Sequence, residues 1–397
     1  MELTNKQILG LKIAIERYRN NEPYTCIAGY AGSGKSTLIR FIIGAMGINT
    51  NEVAYVAYTG KAATVLRQKG CPNATTAHKL LYYAKQLPNG KFVYNPRKVL
   101  ENEYKIIVVD EVSMLPRTLW ELLLSHKVYV LACGDPGQLP PVDKDQDNHV
   151  LDNPHIFLDE IMRQAQDSEI IRLSMHIREG KPLSTFQALG EQVRIMKPKE
   201  VVSGMYDWAD QILCATNDRR NLINKFVRED KGFGYKPCIG DKIISLRNHW
   251  EFYSALGDWT LTNGCIGTIT SFNIETMRIP RYIKDNGQLE YMITDMSIDG
   301  DNFFDIPIDY HQLVSGESVL TPQQQYKMRN NKNIGIEPPY EFAYAYAITV
   351  WKAQGSEWDK VLVFEENHPF DKKEHLQYLY TACTRASEKL VLITKSN

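Results

Sequence analysis

The chain is poor in the features that mark membrane, secreted or metal-cluster proteins. Its seven cysteines are odd in number and form no C-x-x-C pair, so neither a disulfide framework nor a zinc site is indicated. The longest apolar runs, such as residues 106–109, are far below the roughly 20 residues needed to cross a bilayer. Charged residues interrupt the apolar positions of the N-terminus, which predicts an amphipathic helix and no signal peptide. These absences favour a soluble, cytoplasmic protein with reduced thiols.

An excess of charge of either sign is also missing, because the formal net charge is −1. The charge is nevertheless segregated: residues 79–98 contain basic side chains and no acid, while residues 299–318 are acidic. Such segregation suits a protein that binds a polyanion on one face only. The basic segment also contains the aromatic residues Tyr82, Tyr83, Phe92 and Tyr94. The pattern leaves open whether these aromatics stack on a ligand or only pack a hairpin.

A phosphate-binding loop, G-x-x-x-x-G-K-[ST], is present as Gly29-Tyr30-Ala31-Gly32-Ser33-Gly34-Lys35-Ser36. It follows a strand-like run at residues 24–28 and precedes a helix-like run at residues 37–43, which is the setting that this loop requires. Its glycines allow successive backbone N–H groups to surround a polyanion, and the start of the helix adds partial positive charge. Lys35 is predicted to reach the β- and γ-phosphates, and the Ser36 hydroxyl to ligate Mg²⁺.

Strand-like apolar runs recur between helix-like segments, which predicts an α/β protein with parallel sheets covered by helices. These runs are residues 53–57, 105–109, 128–133, 211–215, 360–364 and 389–394. Between residues 235 and 320, short strand-like pieces alternate with turn signals, which predicts a small all-β insertion. Residues 82–98 predict a β-hairpin with its turn at residues 87–91, and residues 321–340 predict a polar connector.

An acidic pair, Asp110-Glu111, follows the strand-like run at residues 105–109. At the end of a strand downstream of a phosphate-binding loop, Asp110 can hold the Mg²⁺ that Ser36 also ligates, and Glu111 can polarise the attacking water. An Asp-Glu pair is otherwise common at solvated helix starts. The four consecutive β-branched residues before it favour the catalytic interpretation.

Gln138 and two arginines complete the candidate catalytic residues. Gln138 lies in a Pro- and Gly-rich loop, where it either contacts the γ-phosphate or belongs to a plain turn, and loop composition does not decide between the two. Arg163 and Arg385 are candidates for a guanidinium that stabilises the γ-phosphate during transfer. A single arginine is more often a surface residue, so neither assignment stands alone. The predicted catalytic residues are Lys35, Asp110, Glu111, Gln138, Arg163 and Arg385.

Taken in order, these motifs resemble those of superfamily 1B DNA helicases of the RecD-like and Dda-like group, over nearly the whole chain. Gln7 is similar to the adenine-reading glutamine of that family, and Asp110-Glu111 to its Walker B pair. The remaining matches are the first DNA-contact motif at residues 58–63, followed by residues 75–78, the third motif at residues 134–141, Arg163 in the fourth, residues 349–357 in the fifth and residues 380–386 in the sixth.

The resemblance implies two RecA-like P-loop domains with ATP and Mg²⁺ between them. The first domain, 1A, would comprise residues 1–154, with the hairpin at residues 82–98 (1B) as a pin that splits the duplex. The second domain, 2A, would comprise residues 155–234 and 336–397. A small SH3-like β insertion with its connector (2B) would occupy residues 235–335.

The resemblance also implies which residues contact each ligand. The nucleotide would be bound by Gln7, Gly29, Ala31, Gly32, Ser33, Gly34, Lys35, Ser36, Thr37, Gly355 and Glu357, and the metal by Ser36 and Asp110. Nucleic acid would be bound by Thr59, Lys61, Thr76, His78, Phe92, Pro140, Asn217, Thr349, Trp351 and Lys352. Trp351 and Tyr58 depart from the histidine and proline usual in the family. Either aromatic could stack on a base, and Trp351 could equally be a packed core residue.

The expected function is ATP-driven translocation on single-stranded DNA, 5′ to 3′ by resemblance to the family, with separation of duplex DNA. The strand would be bound through backbone phosphates and stacked bases with little sequence preference. Two alternatives stay open: an RNA-acting motor of the same superfamily, and a DNA-stimulated ATPase that acts as a clamp or loader without unwinding. The expected partners are single-stranded DNA, ss/ds junctions and single-strand-binding or replisome proteins, with the chain itself a monomer. The pathway, whether replication, recombination or repair, is not indicated.

Overall fold

The computed structural model describes residues 3–86, 92–140, 144–162, 166–255, 260–298, 300–330, 338–366 and 371–395. The chain divides into two compact units. The first unit consists of Met1–Tyr83, Asn95–Ala215 and Thr349–Asn397, and the second of Ala84–Tyr94 and Thr216–Ile348. Two parallel sheets lie within the first unit, and an antiparallel sheet lies within the second. The domain boundaries given above stay a prediction.

Helices and strands alternate through the first unit, as the sequence predicts. Its helices are α1 (Asn5–Arg19), α2 (Lys35–Ala45), α3 (Gly60–Gln68), α4 (Ala77–Leu81), α5 (Arg117–Ser125), α6 (Glu169–Arg178) and α7 (Gly204–Trp208). Its first strands are β1 (Tyr24–Gly29), β2 (Val53–Ala57) and β3 (Ala74–Thr76), which are followed by the hairpin strands β4 (Tyr82–Gln86) and β5 (Phe92–Pro96). Its next strands are β6 (Ile106–Val109), β7 (Tyr129–Gly134), β8 (Ile156–Leu158), β9 (Val193–Met196) and β10 (Gln211–Cys214).

The second unit contains α8 (Asn217–Asp230), α9 (Tyr310–Ser315) and α10 (Pro322–Asn330). Its strands are β11 (Lys242–Ser245), β12 (His249–Tyr253), β13 (Thr260–Leu261), β14 (Ile266–Arg278), β15 (Gln288–Ile298), β16 (Asp301–Ile308) and β17 (Phe342–Tyr344). Strand β18 (Ala347–Thr349) crosses the division between the units. The chain then continues in the first unit with α11 (Val350–Ala353), β19 (Trp358–Phe364), α12 (Lys372–Cys383) and β20 (Ala386–Ile393).

The first parallel sheet has the strand order β3-β2-β6-β7-β1-β8. Its central strands are apolar throughout because helices cover both faces. Leu115, Trp120 and Leu123 belong to the core on one face, and Leu38 and Ile42 of α2 to the core on the other. The carboxyl ends of β1, β6 and β7 therefore meet at one edge, where parallel α/β sheets bind their ligands.

The second parallel sheet contains β10, β19, β20 and β9, in that spatial order. Its register pairs Leu213 with Val363 and Leu362 with Val391. Helix α12 begins at Asp371, whose carboxylate accepts from the Glu374 N–H at 2.7 Å, and it packs against α6, β19 and β20. The predicted α/β class with two parallel sheets is thus confirmed.

The five-stranded sheet of the second unit is antiparallel, with the order β16-β15-β14-β11-β17. Its core includes Met292, Phe303 and Phe342, all with 0% exposure. A buried ion pair ties α8 to the segment before β11, since the Arg228 Nε lies 2.8 Å from Asp241 Oδ1. Strands β12 and β13 form a separate two-stranded ribbon. The SH3-like character of this region stays a prediction.

One part of the predicted polar connector is wrong, because Pro322–Asn330 forms helix α10. Thr321 begins the helix: its hydroxyl accepts from the Gln324 N–H at 3.3 Å, and the Gln324 side chain accepts from the Thr321 N–H at 2.8 Å. Met328 is 1% exposed and joins a small core with Ile283. The polar composition hid a helix that has one buried face.

Three smaller expectations concern the hairpin, the cysteines and the membrane. Strands β4 and β5 pair as a two-stranded sheet, and the predicted turn at residues 87–91 lies outside the described residues. All seven cysteines are free thiols. Within the described part of the chain, no helix combines the length and hydrophobicity that crossing a bilayer needs.

Candidate functional site

The phosphate-binding loop links β1 to α2 and has the geometry that its glycines suggest. Gly32 and Gly34 have φ values of +76° and +81°, which side-chain-bearing residues rarely adopt. A Cβ at Gly34 would lie 2.5 Å from Gln7 Nε2, and one at Gly29 would lie 2.6 Å from Ser33 Oγ. Glycine is therefore required at both positions.

Lys35 and the start of α2 supply the positive charge of the loop. The Lys35 ammonium donates to the carbonyl oxygens of Gly29 at 2.7 Å and Tyr30 at 3.2 Å. Helix α2 has no side-chain cap, so the N–H groups of its first turn are not satisfied by a capping residue. The Ser33 hydroxyl is buried without a hydrogen-bond partner among the described residues, while Ser36 is exposed. Unsatisfied donors and an ammonium at one point are what a polyphosphate needs.

Asp110 and Glu111 follow β6 directly. Burial of the carboxyl group and the adjacent Glu111 charge raise the pKa of Asp110, and the Lys35 ammonium opposes this rise. The Cys133 thiol on β7 donates to Asp110 Oδ1 at 3.2 Å. Glu111 has a φ of +50°, a left-handed backbone that costs energy for a residue other than glycine. Such strain is typical of sites where the surrounding structure fixes a functional side chain.

Gln138 and Glu111, which are distant in sequence, are brought together. The Gln138 Nε2 donates to Glu111 Oε1 at 3.0 Å, and Glu111 Oε2 is buried with no partner in the described ranges. A plain turn residue would not be 7% exposed and bonded to a neighbouring acid. The geometry favours the catalytic interpretation of Gln138, although its contact with a phosphate stays a prediction.

Gln7 lies behind the phosphate-binding loop and is fully buried. Its Oε1 accepts from the Thr4 N–H at 3.0 Å as part of the capping box of α1. Its Nε2 lies 3.4 Å from the Gly34 carbonyl oxygen. Gln7 therefore holds the first helix to the loop, and its contact with adenine stays a prediction.

The loop after β7 is held by the second parallel sheet. The Leu139 N–H donates to Thr381 Oγ1 at 2.8 Å, and Gln354 Nε2 donates to the Leu139 carbonyl oxygen at 2.9 Å. The Tyr380 hydroxyl lies between the Ala31 N–H and Asp135 Oδ2. Sequence reasoning did not single out Tyr380 or Gln354, although both lie inside the motifs quoted for the sixth and fifth positions.

The two predicted arginines and one unpredicted arginine have different outcomes. Arg385 is 7% exposed, and its guanidinium donates to the carbonyl oxygens of Thr381 at 3.1 Å and Ser356 at 3.3 Å. None of these printed contacts is with the phosphate-binding loop. Arg163 lies outside the described residues. Arg178, which no motif indicated, places its guanidinium carbon 3.6 Å from the centroid of the Tyr30 ring in the loop.

Several predicted nucleic-acid contacts lie at helix starts. The hydroxyl of Thr59 accepts from the Ala62 N–H, and that of Thr76 from the Lys79 N–H, each at 3.2 Å, so both threonines also cap helices. Lys61 is in the first turn of α3. The His78 ring on α4 lies between those of Tyr58 and Tyr82, with both centroids 6.1 Å away. Burial lowers the pKa of His78, which favours its neutral form.

The fifth motif packs on the first DNA-contact motif. A Cβ at Gly355, where φ is +75°, would lie 2.7 Å from the Ala62 Cβ. Glu357 forms an ion pair with Lys69 at 2.9 Å. Thr349 precedes α11, and Trp351 and Lys352 are half-buried on that helix. This exposure does not decide between stacking and core packing for Trp351.

The other predicted contacts are more scattered. Pro140 is half-buried at the end of the loop that follows β7, and Thr37 is half-buried in the first turn of α2. Asn217 is the first residue of α8 in the second unit. Phe92 begins β5, and its side chain lies outside what the structure describes. These assignments stay predictions.

The fold and the site define a P-loop protein with two RecA-like parallel sheets, of which the first carries the nucleotide site. Two families match the chain: the AAA domain over residues 12–199 and the UvrD-like helicase C-terminal domain over residues 344–393. Each match contains one of the two parallel sheets, apart from strand β9 and strand β10 of the second.

Among curated proteins, the chain is similar to the ATP-dependent DNA helicase dda of Enterobacteria phage T4, with 23% identity over 97% of each chain. It is 32% identical to the ATP-dependent DNA helicase PIF7 of Trypanosoma brucei brucei, over 93% of this chain and 44% of that protein. The chain thus spans nearly all of the phage protein but less than half of PIF7. The predicted relationship is confirmed, and the chain belongs with the superfamily 1B helicases of the RecD-like and Dda-like group.

Solved structures agree on the fold. A crystal structure of Bacteroides Pif1 bound to ssDNA matches with a TM-score of 0.52 and 19% identity, over 99% of this chain and 92% of that one. A structure described as DNA unwinding at forked dsDNA by two coordinating Pif1 helicases matches with a TM-score of 0.53 and 20% identity, with the same coverage. At this identity the likeness concerns the fold alone.

Proposed function

We propose that this chain is an ATP-driven DNA helicase that translocates on single-stranded DNA, 5′ to 3′, and separates duplex DNA. The observation that carries the proposal is the hydrogen bond of Gln138 with Glu111 at the same sheet edge as an intact phosphate-binding loop. That edge is also held by residues of the second parallel sheet, as a motor with two lobes requires. The relatives named above are described as ATP-dependent DNA helicases.

The triphosphate is proposed to bind where the loop offers unsatisfied donors. Lys35, Ser33 and the first N–H groups of α2 bind phosphate oxygens, and the glycines allow the close approach. Gly355 and Glu357 lie beside α3 and complete the proposed nucleotide contacts. The proposed nucleotide residues are Gln7, Gly29, Ala31, Gly32, Ser33, Gly34, Lys35, Ser36, Thr37, Gly355 and Glu357.

The donor atoms near the loop fit Mg²⁺. Ser36 and Asp110 offer hydroxyl and carboxylate oxygens, which this cation prefers, and Mg²⁺ usually keeps several waters as further ligands. The buried, unpartnered Oε2 of Glu111 is an acceptor that a metal-bound water could satisfy. When bound, Mg²⁺ would supply charge neutralisation and orientation of the phosphates.

Hydrolysis is proposed to use the side chains that surround this edge. Glu111 polarises the attacking water, and Gln138 orients Glu111 and contacts the γ-phosphate. Arg163 and Arg385 stabilise the charge on the γ-phosphate from the second domain. The Arg385 guanidinium is now bonded to backbone carbonyls, so it would have to change partners as the two lobes close.

Single-stranded DNA is proposed to cross the helix starts that carry the capping threonines. Thr59, Lys61 and Thr76 supply phosphate contacts, and aromatic rings near His78 supply stacking surfaces. Further contacts would come from Phe92, Pro140, Asn217, Thr349, Trp351 and Lys352. The hairpin at residues 82–98 would act as the pin, within domain 1A at residues 1–154. Domain 2A would comprise residues 155–234 and 336–397, with an SH3-like insertion at residues 235–335. The chain would act as a cytoplasmic monomer.

A strand-displacement assay tests this function. Duplexes with a 5′ tail or a 3′ tail, and matched RNA duplexes, are incubated with ATP or with a non-hydrolysable analogue. We expect displacement only of the 5′-tailed DNA duplex and only with ATP. Displacement of RNA alone would indicate an RNA motor, and DNA-stimulated hydrolysis without displacement would indicate a clamp or loader.

A further inference from the structure

Tyr380 on α12 touches the phosphate-binding loop although no motif role assigns it to the nucleotide. The residue is 1% exposed. Its hydroxyl accepts a hydrogen bond from the Ala31 N–H at 2.8 Å and donates to Asp135 Oδ2 at 2.6 Å. A Cβ at Gly137 would lie only 3.1 Å from the Tyr380 ring, so the loop after β7 approaches the ring closely. One hydroxyl thus joins helix α12 to two separate loops of the first sheet.

The bond to Asp135 continues to the acid that is proposed to activate water. Asp135 Oδ1 accepts from the Gly137 N–H at 2.8 Å, and its carbonyl oxygen accepts from the Gln138 N–H at 3.1 Å. The Gln138 side chain then donates to Glu111 Oε1 at 3.0 Å. A shift of the Tyr380 hydroxyl therefore moves the backbone from which Gln138 reaches Glu111.

The direction of these hydrogen bonds is fixed by the chemistry of the phenol. Burial raises the pKa of Tyr380 well above its usual value, so the hydroxyl keeps its proton and can donate to a carboxylate. The Ala31 N–H can only donate. The hydroxyl therefore has one donor and one acceptor role, and both are filled within the first unit.

We propose that Tyr380 is a positioning residue of ATP hydrolysis, whose hydroxyl fixes the phosphate-binding loop and the Gln138–Glu111 pair relative to each other. The inference rests on the proposed function. Loss of the hydroxyl leaves a buried amide and a buried carboxylate oxygen without their partner, which misaligns Gln138 and Glu111. The loop itself keeps its contacts through Lys35. The turnover number should then fall while nucleotide affinity changes little.

The chain offers a matched control on the same helix. Tyr378 has 0% exposure, and its hydroxyl donates to the Phe364 carbonyl oxygen within the second parallel sheet. Tyr378→Phe removes the same atom from an equally buried ring that does not touch the loop. A tyrosine that served stability alone would give the same result at both positions.

The experiment measures the DNA-stimulated kcat and KM for ATP, the affinity for a fluorescent ADP analogue and the melting temperature of each variant. Tyr380→Phe should lower kcat by about tenfold to a hundredfold, the range expected when a hydrogen bond to a charged group is lost. The ADP affinity should stay within about threefold, a free-energy difference below that of a tenfold change. Tyr378→Phe should lower the melting temperature without this loss of kcat.

Asp135→Asn, at the other end of the same hydrogen bond, keeps the test decisive if Tyr380→Phe does not fold. This variant should lower kcat in the same way, and the double variant should lose less than the sum of both effects, because the two groups share one interaction. Equal kcat for Tyr380→Phe and Tyr378→Phe, or additive losses in the double variant, would overturn the inference. A wild-type chain that lacks DNA-stimulated ATPase activity would instead overturn the proposed function.

Discussion

The two parallel sheets treat the end of their nucleotide-side strand in opposite ways. In the first sheet, β1 ends in a loop whose donors are left unsatisfied and whose ammonium, Lys35, lies over the backbone. In the second sheet, the first N–H after β10, that of Ala215, donates to Glu366 Oε2 at 3.1 Å. The Glu366 carboxylate is 8% exposed and follows β19. The protein's own anion thus occupies the second sheet at the point where the first sheet is built to accept a phosphate.

This difference explains how one architecture used twice gives one nucleotide site. Only the first sheet combines free N–H donors with an ammonium, so only it can attract a triphosphate. The second sheet contributes side chains that reach across to the first, such as Tyr380, Thr381 and Gln354. The comparison can be tested by removing the feature that distinguishes each sheet.

The largest effect is expected from Lys35→Ala in the first sheet. Loss of the ammonium removes the charge that binds the β- and γ-phosphates, so DNA-stimulated phosphate release should be abolished. Lys12→Ala, at an exposed position of α1, is the control for loss of one positive charge and should hydrolyse ATP normally. Retained DNA-stimulated hydrolysis in Lys35→Ala would contradict the site assignment.

A loss of at least about a thousand-fold in turnover is expected from Arg385→Ala in the second sheet, if the guanidinium acts as a finger. Nucleotide binding, measured by fluorescence titration, should be spared because the loop is unchanged. Arg194→Ala, at an exposed position of β9, provides the control. A rate equal to that of the control would remove Arg385 from the site and turn attention to Arg178, which stacks on Tyr30.

A smaller and more selective effect is expected when the hairpin turn at residues 87–91 is shortened. The turn lies outside both parallel sheets, so ATPase activity on single-stranded DNA should remain. Strand displacement should fall by roughly tenfold or more, a barrier increase of ~1.4 kcal/mol or above. Measuring both activities on the same preparation separates the two effects, and an equal loss of both would argue against a wedge.

The smallest effect is expected from Glu366→Gln, which neutralises the anion of the second sheet. The neutral side chain keeps an acceptor for the Ala215 N–H but loses the charge, so the free energy of unfolding should fall by about 1 kcal/mol. Denaturant unfolding measures this change, with Glu388→Gln at an exposed position of β20 as the control. An unchanged midpoint would show that the carboxylate is not needed where it lies.

The motif order and the alternation of strands and helices were sufficient to predict the two parallel sheets and the family. These features depend on local signals, since a buried parallel strand is apolar throughout and a phosphate-binding loop needs its glycines in fixed places. The bond between Gln138 and Glu111 could only be expected from the motifs, because it depends on which strands become neighbours.

Other features carried no local signal. Tyr380 and Arg178 act on residues more than a hundred positions away, and a lone tyrosine or arginine gives no indication of its partner. Helix α10 was hidden because its polar residues resemble those of a loop, and only Met328 and its packing reveal the buried face. The anion at Glu366 was missed for the same reason, since an acid after a strand is common at the surface.

The left-handed backbone of Glu111 has a consequence for engineering the chain. An asparagine tolerates this conformation better than a glutamate does, so it would relax the segment after β6. It would also be too short to occupy the same position beside Gln138. Selecting variants of this protein for heat resistance alone would therefore tend to silence it, because the most strained residue of the motor is also the one that it needs to turn over.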